Sequence, residues 1–339
     1  MISTSDFGST PSGENVKLFT LSNKNGVQAK ITNYGGILTS FIAPMEGVDR
    51  EMVLGFDTLQ EYTSKNYLDN YPYFGALIGR FGNRIDHGKV TINGKELQLS
   101  CNHSPHHLHG GNIGFDRKVW KAKVVNDSEL HLSYLSVDGE ENFPGNVNTT
   151  VIYSLSDENE LQIKYEATTD KTTPINLTQH SYFNLSDSCS NILDHELQID
   201  ANYLLETNDF LIPSGKLLNV ENTCFDFRTK KTINQDIEDI ENYDDCFAFG
   251  ETTKTPRKVA ELISPDKKVS MEVITTFPGL QVYTGKYISA GEKRRFEAFA
   301  GVALEAQGYP DAPNHPSFKH GWLEPGEIYK QQTNYKLIF

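Results

Sequence analysis

Cysteine is scarce in this chain, tryptophan scarcer still, and no stretch stays apolar for long. Four cysteines (Cys101, Cys189, Cys224 and Cys246) are scattered through 339 residues without Cys-x-x-Cys spacing. Such scatter excludes a disulfide framework and a zinc ribbon, leaving free thiols as the simplest reading. No run of about 18 apolar residues occurs, so no membrane-spanning helix is expected. The polar stretch 1–15 lacks the apolar centre of a signal peptide. A cytoplasmic location follows as the expectation, and there the sequons Asn176-Leu-Thr and Asn184-Leu-Ser stay unmodified. Basic residues are also in deficit, 31 against 45 acidic ones, for a formal charge of −14. Nucleic acid and acidic membranes both demand basic patches, so neither is expected as a partner.

What the chain does have is alternation. Leu161-Gln-Ile-Lys-Tyr-Glu-Ala167 puts Leu161, Ile163, Tyr165 and Ala167 on one face and polar residues on the other. Residues 130–134 and 269–275 repeat the pattern, which marks half-buried strands. Asn25-Gly26, Asn93-Gly94 and Asp138-Gly139 fall between such runs, as hairpins require. Helical signals are few: one or two turns within 57–62, and Ile233, Ile237 and Ile240 at helical spacing within 231–242. Strand and helix patterns do not alternate, which excludes a parallel sheet with crossover helices. No repeat of about 20–50 residues points to a propeller or solenoid. The expected fold is all-β, a large antiparallel sandwich with few short helices. It forms one domain over 16–339, preceded by a flexible segment over 1–15. Strand patterning alone does not separate such a sandwich from a jelly roll.

Two distant segments stand out for chemistry. One sets a lone histidine, His180, in Asn-Leu-Thr-Gln-His-Ser-Tyr-Phe-Asn-Leu185; the other sets a lone carboxylate, Glu305, in an uncharged run over 299–310. A histidine and an isolated glutamate are common partners for proton transfer near neutral pH, although a core histidine and a strand glutamate can look the same.

Further motifs accompany them in order: Asn33-Tyr-Gly-Gly36, Val53-Leu-Gly-Phe56, Ile78-Gly-Arg-Phe-Gly-Asn-Arg-Ile85 and Leu108-His-Gly-Gly111 with Trp120 behind it. Later come Phe225-Asp-Phe-Arg228, Tyr243-Asp-Asp-Cys-Phe247 and Pro278-Gly-Leu-Gln-Val-Tyr-Thr-Gly285. Along nearly its whole length the chain resembles the aldose 1-epimerase (galactose mutarotase) family. The resemblance implies a β-supersandwich with sugar bound in a groove on a concave sheet, and exchange of the α and β anomers of free aldohexoses such as galactose and glucose. By motif match it implies Glu305 as general base and His180 as general acid. It implies Asn83, Arg84, His109, Asp244 and Gln281 as sugar contacts. Many relatives carry His where this chain has Asp245, which leaves Asp245 as the alternative acceptor to Asp244.

The chemistry is simple enough for those two groups. One removes the proton of the anomeric hydroxyl while the other protonates the ring oxygen; the aldehyde turns and closes on its other face. No cofactor or metal is required. A carboxylate near 4.3 is ionised at neutral pH, whereas a histidine near 6.5 stays protonated only with help. Glu305 and the acidic residues around Asp244 are expected to supply it.

Several rival readings are weaker. His103-Ser-Pro-His-His-Leu-His109 invites a metal, with His107 and His109 sharing a strand face. No cysteine lies at ligand spacing, however, and Gly110-Gly111 signals a turn, so His109 alone is expected to be functional. Gly110-Gly-Asn-Ile-Gly114 lacks the Gly-Lys-Ser/Thr ending of a phosphate loop. A hexose 6-phosphate substrate needs clustered cations, and among the site motifs only Arg80 and Arg84 lie close together. A non-catalytic sugar sensor of the same fold is expected to lack the acid or the base, and both are present. A glycoside hydrolase needs a second carboxylate paired with Glu305. The expected partner is a small sugar, bound by a monomer or homodimer.

Overall fold

The period-two pattern is realised as three large antiparallel sheets that share one core. In the computed structural model, which describes residues 1–187, 191–291 and 295–339, the sheets have five, nine and six strands. Cys189 lies outside the described residues; Cys101, Cys224 and Cys246 are free. Leu161, Ile163 and Tyr165 of strand Glu160–Thr169 pack into the same buried cluster as Phe19 and Ile31 of the amino-terminal sheet. Leu280, Val282 and Leu304 of the six-stranded sheet join that cluster. Two tyrosine hydroxyls tie the layers: Tyr335 donates to the Leu304 carbonyl, and Tyr153 to the Gly36 carbonyl. Burial of these alternating faces, at roughly 25 cal/mol per Å² of apolar surface, is what holds the sheets together.

Turns follow the local chemistry. Asn93 and Gly94, at φ 51° and 75°, make a two-residue hairpin between Lys89–Ile92 and Lys95–Gln98. Asp138-Gly139 instead opens a longer connection containing the 3-10 turn Glu140–Asn142. Gly36 is at φ 55°, and a Cβ there would collide with Leu77. Thr58 caps the helical turn Leu59–Tyr62 and exchanges hydrogen bonds with Glu61, a reciprocal cap. The isoleucine pattern in 231–242 breaks into a 3-10 turn, Ile233–Asp236, and one helical turn, Ile237–Ile240.

The amino-terminal segment departs from expectation. Residues expected to form a mobile end form strand Ile2–Ser9, antiparallel to Asn15–Ser22 with a bulge between Asp6 and Gly8. An edge strand is held by its backbone ladder and needs few apolar side chains. Only Ile2 and Phe7 of this strand pack against the buried clusters.

Strand order positions the site. In the six-stranded sheet, Asp244–Ala248, Gly279–Tyr283 and Val302–Gln307 lie side by side, with Cys246 opposite Gln281 and Gln281 opposite Glu305. Since Leu280, Val282 and Leu304 face the core, the alternate residues Gln281 and Glu305 face away from it.

Candidate active site

That outward face forms one wall of a cavity of about 320 Å³, lined by Asn83, Arg84, His109, His180, Asp244, Gln281 and Glu305 among others. All seven residues singled out in the sequence therefore meet in one place. Asp244, opposite Tyr283, lines the cavity, whereas Asp245, opposite Val282, belongs to the other face of the strand. Asp245 accepts the Asp244 amide and, being buried, its carboxyl is pushed up to about 7.

Short secondary elements bring in the rest. His180 ends strand Thr178–His180, which pairs with Ala76–Ile78 and is pinned when the Thr178 hydroxyl donates to the Ala306 carbonyl. Asn176, the first sequon asparagine, is buried and ties Gly82 to Gly308. Asn83 and Arg84 arrive on the chain opposite His107–Leu108. Gly110 permits this crossing: it is at φ 89°, and a Cβ would strike the Gly79 carbonyl. The glycine-rich segment after His109 thus serves close backbone approach. Tyr73, Asn83, His109 and Leu211, all lining the cavity, adopt positive φ without being glycine, a form of strain that clusters at functional sites.

The polar groups are interlocked. Gln281 donates to Asp244 Oδ1 at 2.7 Å and accepts from Asn83 Nδ2 at 3.2 Å. His109 Nδ1 accepts the Asn83 amide at 3.1 Å, which places its proton on Nε2. His180 Nε2 lies 3.6 Å from Glu305 Oε1, and Glu305 Oε2 has no hydrogen-bond partner.

Charge in this site differs from the expected carboxylate and imidazolium. Burial pushes the His180 imidazole down to about 4. Burial, and then the charge of Asp244, push the Glu305 carboxyl well above the carboxylate range, with Arg84 opposing. At 3.6 Å the pair lies beyond a good hydrogen bond, so desolvation outweighs its mutual attraction. His109 is likewise held well below its ordinary value by burial, reinforced by His180 and Arg84. Without sugar, the site holds neutral imidazoles.

Among the described residues two clusters have metal-like spacing: His109, His180 and Glu305, and Asp86, His87 and His106, each set within 4.8 Å. Neither suits an ion. The Nδ1 lone pair of His109 already accepts the Asn83 amide, which leaves Nε2 of this neutral ring protonated, and His106 Nδ1 accepts the His87 amide. His107 is buried in a strand of two residues, its Nδ1 against the Ser100 carbonyl. Arg80 is also absent from the cavity; it is buried among Ser136, Val137, Pro144 and Thr173. Asp226 and Arg228 form a loop ion pair at 2.8 Å.

Sequence reasoning passed over Tyr73 and Tyr283, which line the cavity, and Leu211 and Tyr287 at its rim. The aromatic density of Tyr67-Leu-Asp-Asn-Tyr-Pro-Tyr-Phe74 was the available signal for Tyr73. No motif marks Leu211 or Tyr287.

A buried imidazole thus stands beside a buried carboxylate in a polar cavity, on a sandwich of antiparallel sheets. The family model described as Aldose 1-epimerase matches residues 17–336. Aldose 1-epimerase of Haemophilus influenzae is 36% identical, over 96% of this chain and 97% of that one. Galactose mutarotase of Bos taurus is 37% identical, over 97% and 96%. The crystal structure of galactose 1-epimerase from Lactobacillus acidophilus matches with a TM-score of 0.86 at 26% identity, covering 100% of this chain and 98% of that one. The chain belongs to the aldose 1-epimerase family; it is an isomerase acting on carbohydrates, and its sandwich is of the galactose mutarotase type rather than a jelly roll. No helix among the described residues is long and apolar enough to cross a membrane.

Proposed function

We propose that this enzyme interconverts the α and β anomers of free aldohexoses, galactose and glucose foremost, with Glu305 as general base and His180 as general acid. The observation that carries the reading is the 3.6 Å approach of His180 Nε2 to Glu305 Oε1 within a cavity of about 320 Å³, room for one pyranose. Neutral imidazole with protonated carboxyl, and imidazolium with carboxylate, hold the same number of protons. They differ only in where the proton sits.

The catalytic cycle uses both arrangements. Before ring opening, Glu305 must be ionised to take the anomeric proton, and His180 must carry the proton given to the ring oxygen. After opening, Glu305 holds a proton and His180 is neutral, the arrangement that burial favours in the empty site. Closing from the opposite face of the aldehyde reverses both transfers. An anomeric hydroxyl donating to the orphan Oε2 of Glu305 favours its ionised form, which prepares the first arrangement when sugar binds. His109 Nε2–H, the Arg84 guanidinium and the Asn83 amide supply donors to sugar oxygens, and Asp244 supplies an acceptor.

Arg84 is the only arginine or lysine among the described lining residues, which supports unphosphorylated sugars over hexose 6-phosphates. A polarimetric time course on freshly dissolved α-D-galactose, α-D-glucose and glucose 6-phosphate tests the reading. Acceleration of the two free sugars is expected, with the phosphate ester slower. Sugar binding without acceleration would make the protein a sensor and overturn the assignment.

A further inference from the structure

Catalytic histidines are ordinarily held in plane by a hydrogen bond to the ring nitrogen that does not react. No other residue anchors His180 in this way: its buried Nδ1 has no hydrogen-bond partner on a neighbouring residue, and only its own backbone bears on the ring. Its surroundings are aromatic instead. The Tyr73 ring lies 5.7 Å away at an interplanar angle of 24°, and the Tyr182 ring 5.1 Å away at 33°. Tyr73 also contacts His109, at 4.8 Å, and His109 meets His180 edge to face at 5.1 Å.

Tyr73 occupies this place at a conformational cost. Its φ is 59°, a conformation disfavoured for a bulky L-residue. The same turn grips the backbone of His180. Ala76 N–H donates to the Tyr73 carbonyl at 3.0 Å, and Gly75 N–H donates to the His180 carbonyl at 2.9 Å. Gln179, beside His180, donates its side-chain amide to the Gly75 carbonyl at 2.7 Å. A turn that only had to reverse the chain would be more stable with glycine at position 73. Glycine could supply neither the ring beside the two histidines nor its packing against Tyr71.

We propose that Tyr73 is a positioning residue, whose ring fixes the plane of the His180 imidazole for proton transfer and sets its spacing from His109. This rests on the role given above to His180. The tyrosine acts through its ring and not through its hydroxyl. Because misplacing a reacting group by about 1 Å can cost 10²-fold, loss of the ring should be read mainly in kcat.

The test compares Tyr73→Phe, Tyr73→Ala and Tyr73→Gly by polarimetry on galactose, with thermal unfolding and imidazole NMR of histidine-labelled protein. Tyr73→Phe should keep kcat within about threefold, whereas Tyr73→Ala and Tyr73→Gly should lose about 10–100-fold in kcat with KM changed less. Tyr73→Gly relieves the positive φ, so its Tm should equal or exceed that of Tyr73→Ala while its kcat stays low. The His180 ring signals should be sharp in wild type and broadened by exchange in Tyr73→Gly. Wild-type kcat in Tyr73→Gly, or a rise confined to KM, would overturn the proposal, as would a Tyr73→Phe variant as poor as Tyr73→Ala. The NMR arm does not depend on turnover. A wild type without mutarotation but with a Tyr73-dependent His180 ring would sink the catalytic reading and leave the positioning intact.

Discussion

Gln281 donates its amide to Asp244 at 2.7 Å while standing directly opposite Glu305 on the neighbouring strand, so one residue links Asp244 to the strand of Glu305. Its oxygen accepts from Asn83 as well. Gln281→Leu removes both bonds and leaves two buried polar groups unpaired, each worth about 1–3 kcal/mol. The KM for galactose should rise by about tenfold or more, with a smaller fall in kcat. An unchanged KM in steady-state polarimetry would show that this linkage does not shape the sugar site.

Glu305→Gln and His180→Asn should each lower kcat by about 10²–10⁴-fold, the span of a single general acid–base group. The two groups act on one proton inventory, so the double variant should be little worse than the poorer single one. Circular dichroism spectra should match wild type. Near wild-type turnover in either single variant would reject the assigned roles.

How much of this was legible in the sequence depends on the kind of constraint. Strands such as Glu160–Thr169 announce themselves because one face is buried and the other is not, and every second residue records it. Ile2–Ser9 escaped because a strand held at a sheet edge by backbone bonds leaves almost no trace in its side chains. The seven site residues were legible through motif resemblance, which reports position but not protonation. That the empty site favours a neutral His180 follows from burial on all sides, a property of the assembled sheets that no local sequence carries. The choice between Asp244 and Asp245 likewise needed strand register, since adjacent residues in a strand face opposite ways.

Arg50 is buried at the junction of three segments. It donates to the Leu185 carbonyl and forms a paired contact with Asp266, the closer arm at 2.7 Å. The Arg50 guanidinium holds the Asp266 carboxyl below the usual carboxylate range. A depressed folded value means the stabilisation is complete above the unfolded value of about 3.9 and is lost as pH falls through the lower folded one. Asp266→Asn should destabilise the protein by about 1–3 kcal/mol at neutral pH, the partial exposure of Asp266 keeping the figure below that of a fully buried pair. Calorimetry should show the difference from wild type shrinking on acidification below about pH 4. Activity per folded molecule should be unchanged.

The pH dependence of kcat/KM tests whether His180 and Glu305 work as one proton-sharing unit. The competent free enzyme carries one proton on the pair, so the acid limb marks entry of a second proton and the alkaline limb marks loss of the only one. With His180 pushed down to about 4, the acid limb should lie well below neutrality. The alkaline limb is set by Glu305, which burial and the charge of Asp244 hold up and Arg84 pulls down. Asp244→Asn removes an anion, so Glu305 gives up its proton more readily and the alkaline limb should move to lower pH. Arg84→Met removes a cation and should move that limb to higher pH. Both variants also lose sugar contacts, but lost contacts scale kcat/KM alike at every pH and leave the limbs in place. Opposite displacements would therefore assign the limb to a carboxyl lying between these two charges, and displacements in the same direction would assign it elsewhere.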